Sequence, residues 1–355
     1  MVKTLLDKSS LDLKGLTVLT ECASGPYAYT PVIARLAGAK VYALGRDSSY
    51  GKFSDNKSDL ELLFAECNIF DGYEVITSLS SEILSQIDII TNSGFVRPIG
   101  KSIIQYLKPT AVLPLMWETW EFRNDDLDLK ACQEYGIAVI GTNEKFQWLN
   151  MYEYPGMLAL KLLFDMGIEA VNNHLILMGG GLTGSLISET FNKLGLDFDW
   201  FTPSGTERLE RCYSYQSLSR VLDWQTVDAI VCAEHADARV LAGKKGEGLL
   251  DIIELSHRIP HLRWGHLCGN INKEALEESG LYYYPKKIMP FGYMTYETMQ
   301  LGIRPVLELN CAGLKVGEIA SRARLSGKSI EKSIAETVSY GIGQDFVGGF
   351  LNYGR

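Results

Sequence analysis

The sequence lacks several features that would place it in a specialised class of protein. Its first eight residues hold no apolar run long enough for a signal peptide, since Asp7 interrupts the only candidate. No stretch approaches the roughly 18 uncharged apolar residues that a membrane span requires. The seven cysteines are scattered singly and never spaced as CxxC, which argues against a disulfide framework or a structural zinc site. These absences predict a reduced, cytoplasmic protein with no membrane partner and no metal.

Positive charge is also scarce. The chain has 34 Lys and Arg against 43 Asp and Glu, a formal net charge of −9. A nucleic-acid groove needs clustered basic side chains, so no nucleic-acid partner is expected, although a local basic pocket for one phosphate stays open. At 355 residues and 46% hydrophobic content, the chain is a globular protein and is long enough for two domains.

What the sequence does contain is a regular alternation of short apolar segments with helix-length segments. Six segments of the first part are rich in β-branched residues and are predicted strands: 16–21, 40–44, 73–77, 87–91, 110–115 and 137–141. Near-continuous apolar strands alternating with helices are typical of a parallel sheet covered on both faces.

The pattern restarts after a long apolar helix predicted over residues 148–166. Further strands are predicted at 174–178, 198–201, 227–232 and 262–267, and the residues from 295 onward are mostly helical in pattern. We therefore predict an α/β protein with two doubly wound parallel-sheet domains, at 1–147 and 148–294, followed by C-terminal helices over 295–355.

A glycine-rich loop separates a predicted strand from a predicted helix in the second domain. It consists of Gly179, Gly180, Gly181, Leu182, Thr183 and Gly184, and it matches the pattern G-x-G-x-x-G. Its glycines permit a tight turn, close approach of a pyrophosphate and close packing of the helix, whose N-terminus offers N–H groups to phosphates. The loop predicts a Rossmann domain that binds NAD or NADP. A glycine turn that serves packing alone is the alternative.

The acidic residue that usually binds the ribose hydroxyls about 20 residues after such a loop is missing. Thr202 stands at that place, and Asp199 comes too early to replace the acid. Ser204 and Arg208 could hold a 2′-phosphate, which favours NADP, although they could equally form a solvated turn.

The chain at this point resembles the D-isomer-specific 2-hydroxyacid dehydrogenase family over about residues 87–300. The similar segments are 128–131, 135–139, 142–143, 152–154, the glycine loop, 227–231 and 271–276. The resemblance implies a flavodoxin-like first domain that carries the substrate, a cleft between the domains, a C-terminal helix that returns to the first domain, and a homodimer. It also implies that His235 lies near the nicotinamide.

The catalytic residues of that family do not carry over to this sequence. Leu267 and Cys268 replace its Arg-Gly pair, and Phe291 stands where its acid–base His should be. The strand that should bring its Glu is shortened to residues 280–285. The resemblance therefore implies the fold and the cofactor class, without the usual hydroxyacid chemistry.

Other side chains are candidates for moving a proton. His266 follows a predicted strand beside the position of the missing Arg, and His235 has a similar position on the cofactor side. Tyr293 follows the position of the missing His. An imidazole or a phenol can relay a proton to a carbonyl or imine, but each of these residues could equally be a packed, hydrogen-bonded side chain.

The candidate substrate-binding residues lie after the strands of the first domain. Two carboxylates, Glu118 and Glu121, and two indoles fill a loop that is glycine-rich in the family, which favours a cationic or polyhydroxylated substrate, unless this is only a surface loop. Arg46, Asn92 and Arg97 are the candidates for an anionic group, although a lone Arg is more often a surface ion-pair partner. Tyr27 follows the first strand at the same sheet edge.

The sequence thus predicts an NAD(P)-dependent oxidoreductase that acts on a small carbonyl, alcohol or imine with a non-standard proton donor. Two alternatives remain open. One is a cofactor-binding protein without catalysis, and the other is an enzyme that uses tightly held NAD in a reaction without net redox change.

Overall fold

The computed structural model describes residues 1–49, 51–205, 210–221, 223–234 and 239–354. The chain forms two compact units. Unit 1 comprises Met1–Met151 and Ile303–Arg355, and unit 2 comprises Tyr152–Gly302. The boundaries between the units, at 151/152 and 302/303, lie a few residues beyond the boundaries predicted from the sequence, at 147/148 and 294/295.

The first part of unit 1 alternates strands with helices, as the apolar segments predict. Its parallel strands are β1 (Thr17–Glu21), β2 (Lys40–Leu44), β3 (Tyr73–Ile76), β4 (Ile89–Ile90), β5 (Val112–Pro114) and β6 (Ala138–Thr142). Its helices are α1 (Val2–Ser9), α2 (Tyr29–Leu36), α3 (Phe53–Glu66), α4 (Ser81–Leu84), α5 (Lys101–Ile104) and α6 (Leu129–Tyr135). Local signals set their ends: the Asp128 side chain caps α6, and Gly136 ends it at φ 75°.

The helix predicted over residues 148–166 is shorter in the structure. Asn150 has a left-handed φ of 52°, which helical residues do not adopt. A 3-10 turn over Met151–Glu153 follows, and α7 spans Tyr154–Asp165. Pro155 lies in the first turn of α7, where its missing N–H costs no hydrogen bond.

Unit 2 repeats the α/β pattern. Its strands are β7 (His174–Met178), β8 (Asp197–Thr202), β9 (Cys212–Ser214), β10 (Val227–Cys232), β11 (Ala242–Gly243), β12 (Leu250–Asp251), β13 (Arg263–His266) and β14 (Tyr282–Tyr284). Its remaining helices are α8 (Gly181–Lys193), α9 (Leu218–Val221), α10 (Ile252–Arg258) and α11 (Lys273–Ser279). Apart from the small β11–β12 pair, the strands form one sheet in the order β14-β13-β10-β7-β8-β9, and every pairing is parallel.

The C-terminal segment completes unit 1. It contains α12 (Arg304–Leu325), α13 (Ile330–Tyr340) and β15 (Gly343–Gln344). The sheet order is β15-β6-β5-β4-β1-β2-β3, and β15 pairs antiparallel with β6 at the edge. Helix α12 packs against β4, β5 and β6 and buries 16 of its 22 residues, so it forms a large part of the core of this unit. No helix in the described ranges is long and apolar enough to cross a membrane.

Candidate functional site

The glycine loop lies where the strand order of the unit 2 sheet reverses. From β7 the chain moves outward to β8 and β9, and it then crosses to β10 on the other side of β7. The loops after β7 and β10 therefore leave the sheet in opposite directions at its carboxyl edge, which is where α/β sheets form ligand crevices. Gly179 and Gly180 follow β7, and Ala233 and Glu234 follow β10.

The glycines of the loop are needed for its own close packing. A Cβ on Gly184 would overlap the carbonyl oxygen of Gly179, and a Cβ on Gly180 would lie 2.7 Å from Cδ of Pro203. The indole N–H of Trp200 donates to the Gly179 carbonyl at 2.7 Å. Since α8 begins at Gly181, the N–H groups of its first turn have no carbonyl acceptor within the helix and are the part of the motif available to an anion.

An internal carboxylate lies at this loop. Glu234 is fully buried, and its Oε2 accepts a hydrogen bond of 2.9 Å from the Gly180 N–H. The same oxygen accepts a hydrogen bond of 2.6 Å from the hydroxyl of Tyr215, which is itself buried and follows β9. Negative charge is favoured at a helix N-terminus, and hydrogen bonds to a carboxylate are strong. Glu234 was not predicted from the sequence, although an acid two residues after a predicted strand was a visible signal.

A side-chain hydrogen bond stabilises the turn that follows β8. Thr202 is the last residue of β8, where the ribose-binding acid was expected, and its Oγ1 accepts the Gly205 N–H at 2.8 Å. Ser204 is exposed and lies next to Pro203, which packs on Gly180. The end of β8 is thus beside the glycine loop, but a role of Thr202 and Ser204 toward ribose stays a prediction. Arg208 lies outside the described residues.

Asp199 of β8 contacts basic side chains of its own sheet. Asp199 Oδ2 lies 2.8 Å from His174 Nε2, and Asp199 Oδ1 accepts a hydrogen bond of 2.8 Å from Arg211 Nε. Despite the cost of burial, these two partners lower the pKa of Asp199 below its usual range. Asp199 is therefore part of a structural ion-pair network and does not replace the missing acid.

His266 is the last residue of β13 and pairs in register with Cys232 of β10. It is fully buried, and neither ring nitrogen has a hydrogen-bond partner among the residues that the structure describes. Burial lowers the pKa of His266 from 6.5 to about 4, while the nearby backbone of Lys287 opposes this shift. The imidazole is therefore uncharged at neutral pH.

Tyr293 lies close to the chain that follows His266. Its carbonyl accepts the Gly269 N–H at 2.9 Å, and its side chain is partly exposed. The catalytic roles of His266 and Tyr293 stay predictions, and His235 lies outside the described residues.

The positions where the resembling family carries its catalytic groups have different environments here. Leu267 and Cys268 are buried in the core of unit 2, whereas Phe291 is 47% exposed. The Cys268 Sγ lies 3.9 Å from the Cys232 Sγ, and both thiols are free. A buried apolar pair and an exposed phenyl ring cannot supply the missing guanidinium and imidazole.

In unit 1, the structure brings together two of the predicted substrate residues. Arg46 Nη2 donates to the Arg97 carbonyl at 3.2 Å, and both arginines line a pocket of about 220 Å³ at the carboxyl ends of β2 and β3. Arg97 is already paired, because its Nη1 donates to Asp126 Oδ2 at 2.7 Å. Asn92 is buried and accepts the Met116 N–H at 2.9 Å, which joins the loops after β4 and β5. These contacts give Asn92 and Arg97 structural roles, while substrate binding by all three residues stays a prediction.

Glu21 was not singled out from the sequence. It ends β1, next to β4, at the point where the strand order of the unit 1 sheet reverses. Its side chain is buried, and Oε2 accepts the Phe95 N–H at 3.0 Å. Burial raises the pKa of Glu21 from 4.5 to about 7, although the Phe95 N–H and the Arg97 charge oppose the shift. A carboxyl with this pKa can exchange a proton near neutral pH.

The two predicted carboxylates after β5 lie together. Glu118 is buried and accepts the Trp120 indole N–H at 2.7 Å, and its own N–H donates to Glu121 Oε1 at 3.4 Å. Burial raises the pKa of Glu121 to about 7, with the Glu118 charge adding to the shift. Burial also raises the pKa of Glu144 well above its ordinary value, helped by both neighbouring carboxylates.

Tyr27 lies half-buried in the 3-10 turn Gly25–Ala28, and its substrate role, like that of Glu118 and Glu121, stays a prediction.

The protein is similar in fold, but not in sequence, to proteins of known structure. No protein-family model and no curated protein matches the sequence. The crystal structure of a dipicolinate synthase chain from Bacillus halodurans matches at TM-score 0.50 and 11% identity, covering 88% of this chain and 99% of that one. The corresponding chain of dipicolinate synthase from Bacillus subtilis matches at TM-score 0.51 and 13% identity, covering 91% and 99%. The protein shares its fold with these dipicolinate synthase chains.

A 2-hydroxyacid dehydrogenase from Ketogulonicigenium vulgare is also similar, at TM-score 0.48 and 11% identity, covering 89% of this chain and 96% of that one. The likeness to the dipicolinate synthases confirms the predicted fold class, an α/β protein with two doubly wound parallel-sheet domains. The strand order β3-β2-β1-β4-β5-β6 of unit 1 is that of a Rossmann sheet and not the flavodoxin-like order that the resemblance implied. At this identity it shows the fold alone, so the roles of individual residues rest on the geometry described above.

Proposed function

We propose that this protein is an NAD(P)-dependent oxidoreductase that binds its dinucleotide at the glycine loop of unit 2. The observation that carries the proposal is the placement of this loop. It connects a central parallel strand to the N-terminus of α8 where the strand order reverses, and that combination suits a pyrophosphate. We further propose that the protein is a cytoplasmic homodimer.

The residues of the loop fit the cofactor in most respects. The first-turn N–H groups of Gly181, Leu182 and Thr183 would face the pyrophosphate, and Thr202 with Ser204 would face the adenosine ribose. The absence of an acid at Thr202 favours NADP. When bound, the dinucleotide supplies the hydride donor or acceptor for a small carbonyl, alcohol or imine. One group fits poorly, because the Glu234 carboxylate already holds the Gly180 N–H.

This chain must supply the proton that accompanies hydride transfer. The uncharged His266 can accept a proton at a ring nitrogen or donate one from its N–H, and the Tyr293 hydroxyl can donate to a carbonyl oxygen. We expect His266→Ala or Tyr293→Phe to lower turnover by about 100-fold or more, the contribution typical of a general acid or base.

The test begins with calorimetric titration of the full chain with NAD⁺ and NADP⁺, followed by a survey of carbonyl and alcohol substrates by nicotinamide absorbance. Binding at millimolar concentration or tighter, with turnover that falls in the two variants, supports the proposal. If neither dinucleotide binds at millimolar concentration, the proposal is wrong.

A second candidate function is dinucleotide binding without catalysis. It is favoured by the buried Leu267 and the exposed Phe291, which stand at the positions of the catalytic Arg and His of the resembling family. This candidate predicts binding without hydride exchange for any substrate offered. An enzyme with tightly held NAD and no net redox change would instead retain cofactor through purification, which the absorbance spectrum of the purified protein would reveal.

A further inference from the structure

The most unusual feature of the proposed dinucleotide site is a hydrogen-bonded bridge across it. The bridge consists of Gly180, Glu234 and Tyr215, joined at Glu234 Oε2 by hydrogen bonds of 2.9 Å and 2.6 Å. Glu234 is 0% and Tyr215 is 3% exposed, so solvent does not reach either group. The Arg239 guanidinium lies 5.4 Å from the centre of the Tyr215 ring and covers it. The bridge is therefore a built, buried contact and not a chance surface pairing.

The position of the bridge follows from the sheet. Glu234 follows β10, and Tyr215 follows β9 at the edge of the sheet. Strands β7 and β8 lie between β10 and β9. A hydrogen bond from Tyr215 to Glu234 must therefore pass over the carboxyl ends of β7 and β8. In doubly wound sheets this is the crevice in which the nucleotide lies.

The charge at the bridge has a direct consequence for a phosphate ligand. The Glu234 carboxylate accepts the N–H that leads into the first turn of α8, so it takes the place of a phosphate oxygen at a helix N-terminus. Two anions cannot share this small, desolvated region without strong repulsion. A pyrophosphate can bind there only after the carboxylate has left Gly180.

We propose that Glu234 is an affinity-determining residue of the dinucleotide site, an internal anion that competes with the pyrophosphate for the N-terminal end of α8. The inference rests on the proposed dinucleotide binding in unit 2. Opening of the bridge breaks the hydrogen bonds to Gly180 and Tyr215, and the cost of that opening weakens binding of any ligand that carries a phosphate at this position. Ligands without phosphate do not meet this competition.

A purely structural role for Glu234 makes the opposite prediction. If the carboxylate only holds the loop after β10 in place, its removal should loosen the site and weaken all ligands alike. The sign of the change in affinity therefore separates the two roles.

The variants that test the inference are Glu234→Gln and Tyr215→Phe. The glutamine keeps an oxygen that can accept the Gly180 N–H but carries no charge, and the phenylalanine removes the hydroxyl that holds the carboxylate in the crevice. Glu254→Gln is the matched control, since Glu254 is an exposed glutamate on α10 of the same unit. Thermal melting of each full-length variant shows whether it is folded, and Tyr215→Phe carries the test if Glu234→Gln does not fold.

The measurement is calorimetric titration with NAD⁺, with NADP⁺ and with adenosine, which has no phosphate. We expect Glu234→Gln to bind both dinucleotides at least tenfold more tightly than the unaltered protein, the factor that corresponds to about 1.4 kcal/mol. Tyr215→Phe should shift the affinity in the same direction, the control should not change it, and adenosine should bind all forms equally.

The possible failures are distinct. Equal or weaker dinucleotide binding by folded Glu234→Gln and Tyr215→Phe overturns the role of Glu234 and leaves the proposed function standing. A parallel gain for adenosine also overturns it, because the competition would then not involve phosphate. If neither the unaltered protein nor any variant binds a dinucleotide at millimolar concentration, the proposed function is wrong and this inference is wrong with it.

Discussion

Replacement of Glu21 by Gln is expected to remove the contribution of this carboxyl to the pH dependence of stability. Burial raises the pKa of this carboxyl from 4.5 to about 7, so the folded protein favours the protonated form. The stability that this group contributes is therefore fully present below pH 4.5 and is lost as the pH rises to about 7. Glutamine stays neutral throughout, keeps nearly the same shape and does not incur this loss.

The magnitude follows from the two pKa values. Ionisation of Glu21 lowers the free energy of unfolding by about 0.8 kcal/mol at about pH 5 and by about 3.3 kcal/mol at about pH 8. The difference in unfolding free energy between Glu21→Gln and the unaltered protein should therefore move by about 2.5 kcal/mol in favour of the variant between these two conditions.

Urea denaturation of both proteins in the two buffers measures this difference. The control is Glu66→Gln, because Glu66 is exposed on α3 of the same unit. Its replacement should change the free energy of unfolding in neither buffer. If the difference for Glu21→Gln is the same in both buffers, the carboxyl is not held in its protonated form by burial and the reasoning about Glu21 is wrong.

Two further predictions concern packing. Lys315→Met should lower the free energy of unfolding by about 1–3 kcal/mol, because the buried Lys315 Nζ lies 2.9 Å from Glu318 Oε2 and donates to the Ser10 carbonyl. Its loss leaves the buried Glu318 carboxylate with the Arg322 guanidinium at 3.6 Å and the Asp12 N–H as partners, which limits the cost. Urea denaturation beside the exposed control Lys332→Ala checks this, and equal stability of the two variants would contradict it. Gly184→Ala should cost about 1–3 kcal/mol and abolish dinucleotide binding, because the new Cβ overlaps the Gly179 carbonyl. Ser185→Ala is its control, and normal binding by Gly184→Ala would show that the loop adapts.

Much of the fold was visible in the sequence, because buried parallel strands need continuous apolar segments. The strand predicted over residues 227–232 is β10 with the same limits. Strands β9 and β15 were missed, since three residues and two residues leave no periodic pattern. The helix over 148–166 was predicted too long, because apolar content alone does not reveal the left-handed backbone of Asn150.

The candidate site was predictable only where its residues are neighbours in sequence. The glycine loop has a local pattern, and the structure puts it at the carboxyl edge of the sheet as expected. The contact between Glu234 and Tyr215 joins residues 19 positions apart, and the pairing of Arg97 with Asp126 joins residues 29 positions apart. Neither pairing follows a helix or strand period, so only the fold reveals that Glu234 meets the loop and that Arg97 is already neutralised.

The return of α12 to unit 1 also determines when that unit can fold during synthesis. The apolar faces of β4, β5 and β6 are covered by a helix that the ribosome makes only after all of unit 2. At about 5–20 residues per second, a nascent chain waits roughly 10 to 30 s between the end of β6 and the arrival of α12. Unit 2 is continuous in sequence and can fold within that interval, whereas the first part of unit 1 must stay exposed or be shielded by a chaperone until its last helix emerges.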